Sequence, residues 1–534
     1  MRAHFAIFSV AAVLVFVNNA SSARILGLFP HTGKSHQMVF EPLLRRLAER
    51  GHHVTVVSFF PLKNRPENYT DVSLEGIASL GVETIDMAEF ESYNGIVEVP
   101  LWIENIMRQI FDINPLGDMA LNVCSKLVSW QPLAEALRKD YDVALVEFFN
   151  SDCVHGLMHV YGKKVPTIAM LSSGLMQWSA DRIGVTDNPA YVPTFSSFLT
   201  SRMTFMERLE NTIANCYLKL WYRYKVQMKE QEIIERHFGR KIPDLNDIAK
   251  NSTTMMMANV FHSLNGAKPL LPGLVEVGGM HLNPKSTGIP LYMERFLNES
   301  DQGVVLFSFG SLLKTSTIPE YKEQMIMNAL SRLKQNVIWK YENSAEEGTR
   351  IGNILKVRWI PQYDLLRHKK VIAFIGHGGL LGMTEVVSVG KPMLVVPFFG
   401  DQPYNGKMAE EVGLGLSIPY RHITEKRFYE AISTVLSAEM RLSARRVSKI
   451  WHDRETKPLD KAIYWVERVI RWGHQDPLHS SSRDLNIIQL SLLDIAAASI
   501  VAIIVLIILT KLLLSLLFRL IKVSFNSKVK DKLH

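Results

Sequence analysis

The turn Gly376-His377-Gly378-Gly379 has the residue types to hold an anion. Its glycines allow φ > 0 and a close approach of the backbone to a ligand. Before it, Val371 to Ile375 reads as a strand buried on both faces; after it, Leu380 to Val389 carries helical periodicity. A helix N-terminus therefore points into the turn, where free N–H groups and the positive end of the dipole favour a diphosphate, with His377 adding a hydrogen bond or a charge. Pro392 to Pro397 supplies the next strand, so Asp401 and Gln402 fall at its C-terminal end, where open α/β sheets bind ligands and where both can hydrogen-bond hydroxyl groups. With Trp359 upstream, residues 357 to 406 order an aromatic, a strand, a glycine nest, a helix and an Asp-Gln pair within one βαβ unit.

A second group of residues has the makings of an acid–base centre. Histidine is the natural base near neutral pH, and a carboxylate fixes its tautomer and stabilises the proton it gains. His36 lies just after the first strand, in a Gly33-Lys34-Ser35-His36 turn that opens a helix. His31 competes with it, whereas His52 and His53 precede a strand at the wrong edge. For the carboxylate, Asp152 and Glu147 both follow the strand Val143 to Val146, and Glu147 stands directly at its end.

The elements that position these groups repeat. Arg24 to Phe29 and Val304 to Phe309 are buried-strand runs, each followed by a small-residue turn and a helical segment. Further strands (Val54 to Phe59, Val143 to Val146, Val165 to Met170, Asn336 to Lys340, Val371 to Ile375, Met393 to Val396) alternate with helices. The fold class is α/β, with two doubly wound parallel sheets facing a cleft. The expected boundaries are a first domain over 24–283, a Pro-bounded linker over 284–290 and a second domain over 291–486. Lys461 to Arg471 has the periodicity of a helix crossing back onto the first domain.

Both ends carry membrane signals. Residues 1–23 place Arg2 ahead of an apolar run and small residues at the end, as in a secretory signal peptide. Residues 492–518 are long and apolar enough to span a bilayer, with Lys511 able to snorkel. Arg519, Lys522, Lys528, Lys530 and Lys532 then predict a cytosolic tail over 519–534 and a lumenal body, a single-pass type I arrangement. Lysines three and five positions from the end resemble a dilysine retrieval signal of the endoplasmic reticulum. Lumenal exposure makes Asn68, Asn251 and Asn298 candidate glycosylation sites. The three cysteines, Cys124, Cys153 and Cys216, exclude a disulfide framework and leave at most one bridge. The excess of 60 basic over 52 acidic residues forms no basic stripe, which excludes a nucleic-acid partner.

The segment 357–406 resembles the signature of the UDP-glycosyltransferases, specifically the membrane-bound animal enzymes of the endoplasmic reticulum. Phe29-Pro30-His31-Thr32-Gly33-Lys34-Ser35-His36, Asn150-Ser151-Asp152-Cys153, Ser308-Phe309-Gly310-Ser311 and the terminal anchor extend the resemblance nearly end to end, closest to its invertebrate branch. It implies the GT-B architecture, with the acceptor in the N-terminal half and the UDP-sugar in the C-terminal half. It also implies His36 as catalytic base, Asp152 as its orienting acid with Glu147 the alternative, and Trp359 and Gln362 as uracil contacts. Glu385, two helical turns beyond His377, would take the ribose hydroxyls; Ser311 and the amides around Gly379 would take the diphosphate, and Asp401 and Gln402 the sugar. Gly376 stands where the family usually has Thr or Ser, and Gly382-Met383 replaces a hydroxyl-bearing pair, which leaves phosphate binding to backbone amides.

No metal or other cofactor is expected, since Asp140-Tyr141-Asp142 precedes its strand and reads as a turn. Direct attack on an α-linked donor would give a β-glycoside. Relatives that use glucuronic acid carry an arginine near the position of Asn259, and Met255 to Asn259 offers none, which favours glucose. Trp102, Ile103, Ile106, Phe111, Met170, Leu175, Met176, Trp178, Phe195, Phe198 and Met203 crowd the acceptor half and suggest small lipophilic acceptors such as phenols, in a detoxifying role. A non-catalytic lipophile-binding protein of the same fold, or a lipid or glycan glycosyltransferase, are the alternatives. Homo- or hetero-oligomers are both compatible with the sequence.

Overall fold

The computed structural model describes residues 22–81, 84–95, 100–282 and 288–530. Nearly all of the signal segment, residues 284–287 of the linker and the last four residues of the basic tail lie outside these.

Among the described residues sixteen strands follow one another: β1 Arg24–Phe29, β2 His53–Ser58, β3 Tyr69–Ser73, β4 Ile85–Asp86, β5 Val143–Glu147, β6 Thr167–Leu171, β7 Thr253–Ala258, β8 Leu274–Glu276, β9 Val304–Ser308, β10 Leu313–Lys314, β11 Asn336–Lys340, β12 Thr349–Ile351, β13 Ile354–Val357, β14 Val371–Gly376, β15 Met393–Val395 and β16 Gly415–Ser417. They form a seven-stranded sheet ordered β3-β2-β1-β5-β6-β7-β8 and a second ordered β12-β13-β11-β9-β14-β15-β16. Every pairing is parallel except that of β12 with β13. The strands β5, β6, β7 and β9 are buried along their whole length, which is why they read as unbroken apolar runs.

In each sheet the chain winds outward on one side, returns, and continues on the other. The reversal falls between β1 and β5 in the first sheet and between β9 and β14 in the second. Such switch points open a crevice beyond the carboxyl ends of the strands. His36 and Glu147 flank the first crevice, and the Ser308–Ser311 and Gly376–Gly379 turns flank the second.

The two domains exchange segments. β4, from the first half, pairs with β10 of the second, while Met87 enters the second core and Phe90 packs against Phe398, Phe399 and Tyr420. In return, helix Pro458–Trp472 buries Ala462, Ile463, Val466 and Val469 in the core of the first domain. A disulfide joins Cys124, near the end of helix Leu101–Leu127, to Cys153 at the start of helix Cys153–Val160, with Cα atoms 5.7 Å apart. Cys216 is free and exposed.

Residues 480–534 form a separate unit. Its main element is helix Leu493–Lys530, of which Leu493–Ser524 is 32 residues long and contains an 18-residue stretch of mean hydropathy 3.0. The helix runs beyond the expected 492–518 because no glycine or proline interrupts it. At 1.5 Å per residue the apolar part is roughly 48 Å long, more than the ~30 Å of a bilayer core.

Candidate functional site

The loop leaving β1 brings two histidines together. Gly33 gives His31 and His36 room: a Cβ there would stand 2.9 Å from the His31 ring and 3.5 Å from that of His36. The rings stack with centroids 3.7 Å apart, 8° from parallel, and Phe149 meets both edge-on. Gly33 N–H donates to His31 Nδ1 at 2.9 Å. His36 Nδ1 lies 2.6 Å from Glu147 Oε1 and 2.9 Å from Ser172 Oγ. Ionised Glu147 accepts the proton of Nδ1, so Nε2 keeps a lone pair, as a base needs.

Glu147, not Asp152, is thus the carboxylate beside His36. As the last residue of β5 it stands next to β1, whose following turn carries His36. Asp152 lies five residues further on, at the start of the helix whose first residue is tied to Cys124. There it is fully buried and accepts from Arg182, from Tyr222 Oη at 2.9 Å and from Gln227 Nε2 at 2.7 Å. Tyr222 and Gln227 are five apart in a π-helical turn, which aims both at the same carboxylate. Glu230 closes the network by accepting from the Asp152 backbone N–H at 2.9 Å, and burial lifts its carboxyl to about 8.

Burial lowers His36 to about 3 and lifts Glu147 to about 7, the latter against the pull of His31. His31 falls to about 3 by burial, with His36 adding to the effect. The imidazoles are neutral at physiological pH, and Glu147 is the group of this cluster that titrates there. His31, His36 and Glu147 could each offer an atom to a metal, these lying within 4.8 Å of one another. His31 Nδ1 already accepts from Gly33 N–H, and His36 Nδ1 lies against Glu147.

Asn259 is buried and donates to Ser172 O at 2.9 Å. It therefore supports the serine beside His36. Ser172 was not singled out in the sequence; the polar Ser172-Ser173-Gly174 run directly after the apolar β6 was the available signal.

In the second crevice, His377 fills space that two glycines leave open. A Cβ on Gly310 would stand 2.7 Å from its ring and one on Gly379 2.4 Å. Gly310 and Gly378 have φ of 80° and 86°, which the turns require. Burial lowers His377 to about 4, so it is a neutral hydrogen-bonding group and not a cation. Helix Leu380–Ser388 begins at Gly379 with no side-chain cap on its first turn, and Ser311 is exposed at the mouth. At Gly376 a Cβ would stand 2.3 Å from the ring of Phe374, which accounts for the missing hydroxyl residue.

Trp359 is 61% exposed, so its face is open and it is not core packing. Gln362 Nε2 donates to Glu385 Oε2 at 2.6 Å, which joins the two residues assigned to base and ribose, and burial lifts Glu385 to about 7. Asp401 is lifted to about 6 by burial and accepts from Asn405 Nδ2 at 2.9 Å. Gln402 is buried, and its Oε1 accepts from Phe398 N–H at 2.9 Å. Asp401 lines a cavity between the domains with Ser173, Leu175, Lys268, Glu276 and Tyr404.

Of the eleven large apolar residues expected around an acceptor, Ile106, Met170, Met176, Trp178 and Phe195 are buried, and Trp178 stacks on Tyr222 at 4.8 Å. Leu175 and Phe195 line the cavity, and Phe198 packs under Arg108.

Residues 26–527 match the family described as UDP-glucoronosyl and UDP-glucosyl transferase. The chain belongs to this family. It is 35% identical to the UDP-glycosyltransferase UGT5 of Dactylopius coccus over 90% of each chain, and 31% identical to UDP-glucosyltransferase 2 of the same organism over 92% of each. A solved UDP-glucosyltransferase from Polygonum tinctorium, capable of glucosylating indoxyl, superposes with a TM-score of 0.55 at 14% identity, over 85% of this chain and all of that one. The fold is GT-B, and the activity of this UDP-glycosyltransferase is glycosyl transfer from a UDP-sugar.

Proposed function

We propose that this UDP-glycosyltransferase moves a hexose, glucose, from its UDP-sugar to the hydroxyl of a small lipophilic acceptor with inversion, in the lumen of the endoplasmic reticulum. The observation that carries the reading is the His36–Glu147 contact at the first switch point. His36 Nε2 takes the acceptor proton as the acceptor oxygen bonds to the anomeric carbon. The bond from that carbon to the diphosphate breaks, and UDP departs with the electron pair. Glu147 stabilises the imidazolium that forms. The amides at Gly379 and Leu380, neutral His377 and Ser311 meet the leaving-group charge, so the reading calls on no metal.

The glucose assignment is supported by the lack of an arginine from Met255 to Asn259. One observation favours a uronic acid instead: Lys268 lines the cavity beside Asp401, its amine 4.5 Å from the Tyr404 ring centre. Turnover of a simple phenol with UDP-glucose and with UDP-glucuronic acid, EDTA present throughout, separates the two. Conversion with glucose alone is expected. Conversion with glucuronic acid alone would transfer the donor role to Lys268, and silence with both, with UDP binding retained, would leave a lipophile-binding protein.

A further inference from the structure

The two stacked imidazoles of the first crevice carry opposite tautomers. Gly33 N–H donates to His31 Nδ1 at 2.9 Å, so that nitrogen bears a lone pair and the ring proton sits on Nε2. His36 is the reverse: with Glu147 ionised, its Nδ1 carries the proton shared with Glu147 Oε1 at 2.6 Å, and Nε2 keeps the lone pair. His31 therefore does not compete with His36 as a base. It is a fixed donor standing beside a fixed acceptor, with ring centroids 3.7 Å apart and Phe149 edge-on to both.

That donor is unused. His31 is half-buried, and its Nε2 is out of solvent with no hydrogen-bond partner, while Glu147 and Ser172 are both taken up by His36. A buried donor left unpaired costs more than a typical hydrogen bond returns, so one retained beside a reacting group marks a place for a ligand atom. One nitrogen of each ring and an oxygen of Glu147 lie within 4.8 Å of one another, so a molecule hydrogen-bonded to His36 lies beside His31 as well. An acceptor whose hydroxyl gives its proton to His36 Nε2 therefore meets His31 Nε2–H with whatever adjoins that hydroxyl. The reacting oxygen is a poor partner for His31, because a hydrogen bond to it would draw charge from the atom that attacks the anomeric carbon. An oxygen on the neighbouring carbon is a good one, since its lone pairs are free and its offset from the first oxygen resembles that of the two stacked rings.

We propose that His31 is a specificity residue of the acceptor site: its Nε2–H donates to a second oxygen next to the hydroxyl being glycosylated, so phenols oxygenated at the ortho position are the preferred acceptors. The proposal rests on the reading of His36 as the base for a phenol hydroxyl. The test compares kcat/KM of the full chain for 2-methoxyphenol and 4-methoxyphenol, with whichever of UDP-glucose and UDP-glucuronic acid supports turnover. His31→Asn can still accept from Gly33 N–H through its amide oxygen but has no atom at the place of Nε2. It should lower the ratio of the 2-isomer to the 4-isomer by about 3- to 10-fold, the effect of one net hydrogen bond. His31→Gln, whose amide nitrogen reaches the place of Nε2, should keep the wild-type ratio. If His31→Asn fails to fold, His31→Phe, a flat ring on His36 with no donor, should show the same fall. A ratio unchanged in the variant without a donor, or lost equally in His31→Gln, overturns the proposal and leaves His36 as the base. No turnover of either isomer by the wild type overturns the reading beneath it as well.

Discussion

Replacing Glu147 by glutamine removes a charge and keeps the shape. In the native site the carboxylate is 2.6 Å from His36 Nδ1 and buried, with His31 and His36 as the titratable groups beside it. The amide can still accept from Nδ1–H, but it no longer stabilises the imidazolium. It can also turn its NH2 group to Nδ1 and hold the proton on Nε2, where it blocks the base. Opposite charges about 4 Å apart at an effective dielectric near 20 attract by roughly 4 kcal/mol, which corresponds to about a thousandfold in rate and lies within the usual ~10²–10⁴ for general acid–base catalysis. Glu147→Gln should therefore lower kcat about a thousandfold. UDP affinity, set in the other domain, should stay within about twofold. Steady-state turnover of a phenol gives the first quantity and calorimetric titration with UDP the second. A kcat within about threefold of wild type would refute the assignment of Glu147 as the partner of the base.

The same pair sets the pH profile. Burial holds Glu147 at about 7, above its ordinary value of 4.5, so kcat should rise with pH through about 7 as the carboxylate ionises, and Glu147→Gln should abolish that limb. A limb that survives in the variant would assign the titration to another group. Asp152→Asn should act on stability first, because it leaves Arg182 buried without its counter-ion; breaking such a pair costs about 3–5 kcal/mol, and thermal melting should show a clear loss. An unchanged melting temperature would contradict the structural role given to Asp152. Trp359→Ala should raise the KM for the UDP-sugar by roughly 5- to 150-fold, as expected for the ~1–3 kcal/mol of a base–aromatic stack, with kcat little changed. An unchanged KM would return Trp359 to the status of a surface residue.

How far these arguments could be made from sequence depended on how local each signal was. The strands were legible because residues such as those of β5 and β9 are buried on both faces and leave unbroken apolar runs. The glycine nest was legible because its strand, turn and helix adjoin in the chain. The orienting acid was not, because proximity to His36 depends on β1 lying next to β5, more than a hundred residues away in sequence. Two acids follow the apolar run Val143 to Val146, and the resemblance favoured Asp152. The structure separates them: the strand end delivers Glu147 to the crevice, whereas the five-residue extension carries Asp152 to a helix start pinned by the Cys124–Cys153 bond. Ser172 and Asn259 escaped for the same reason, since their meeting requires β6 and β7 to be neighbours. Gly376 shows the reverse case, in which a departure visible in the sequence acquires its cause only in three dimensions, from the ring of Phe374 that occupies the place of a side chain.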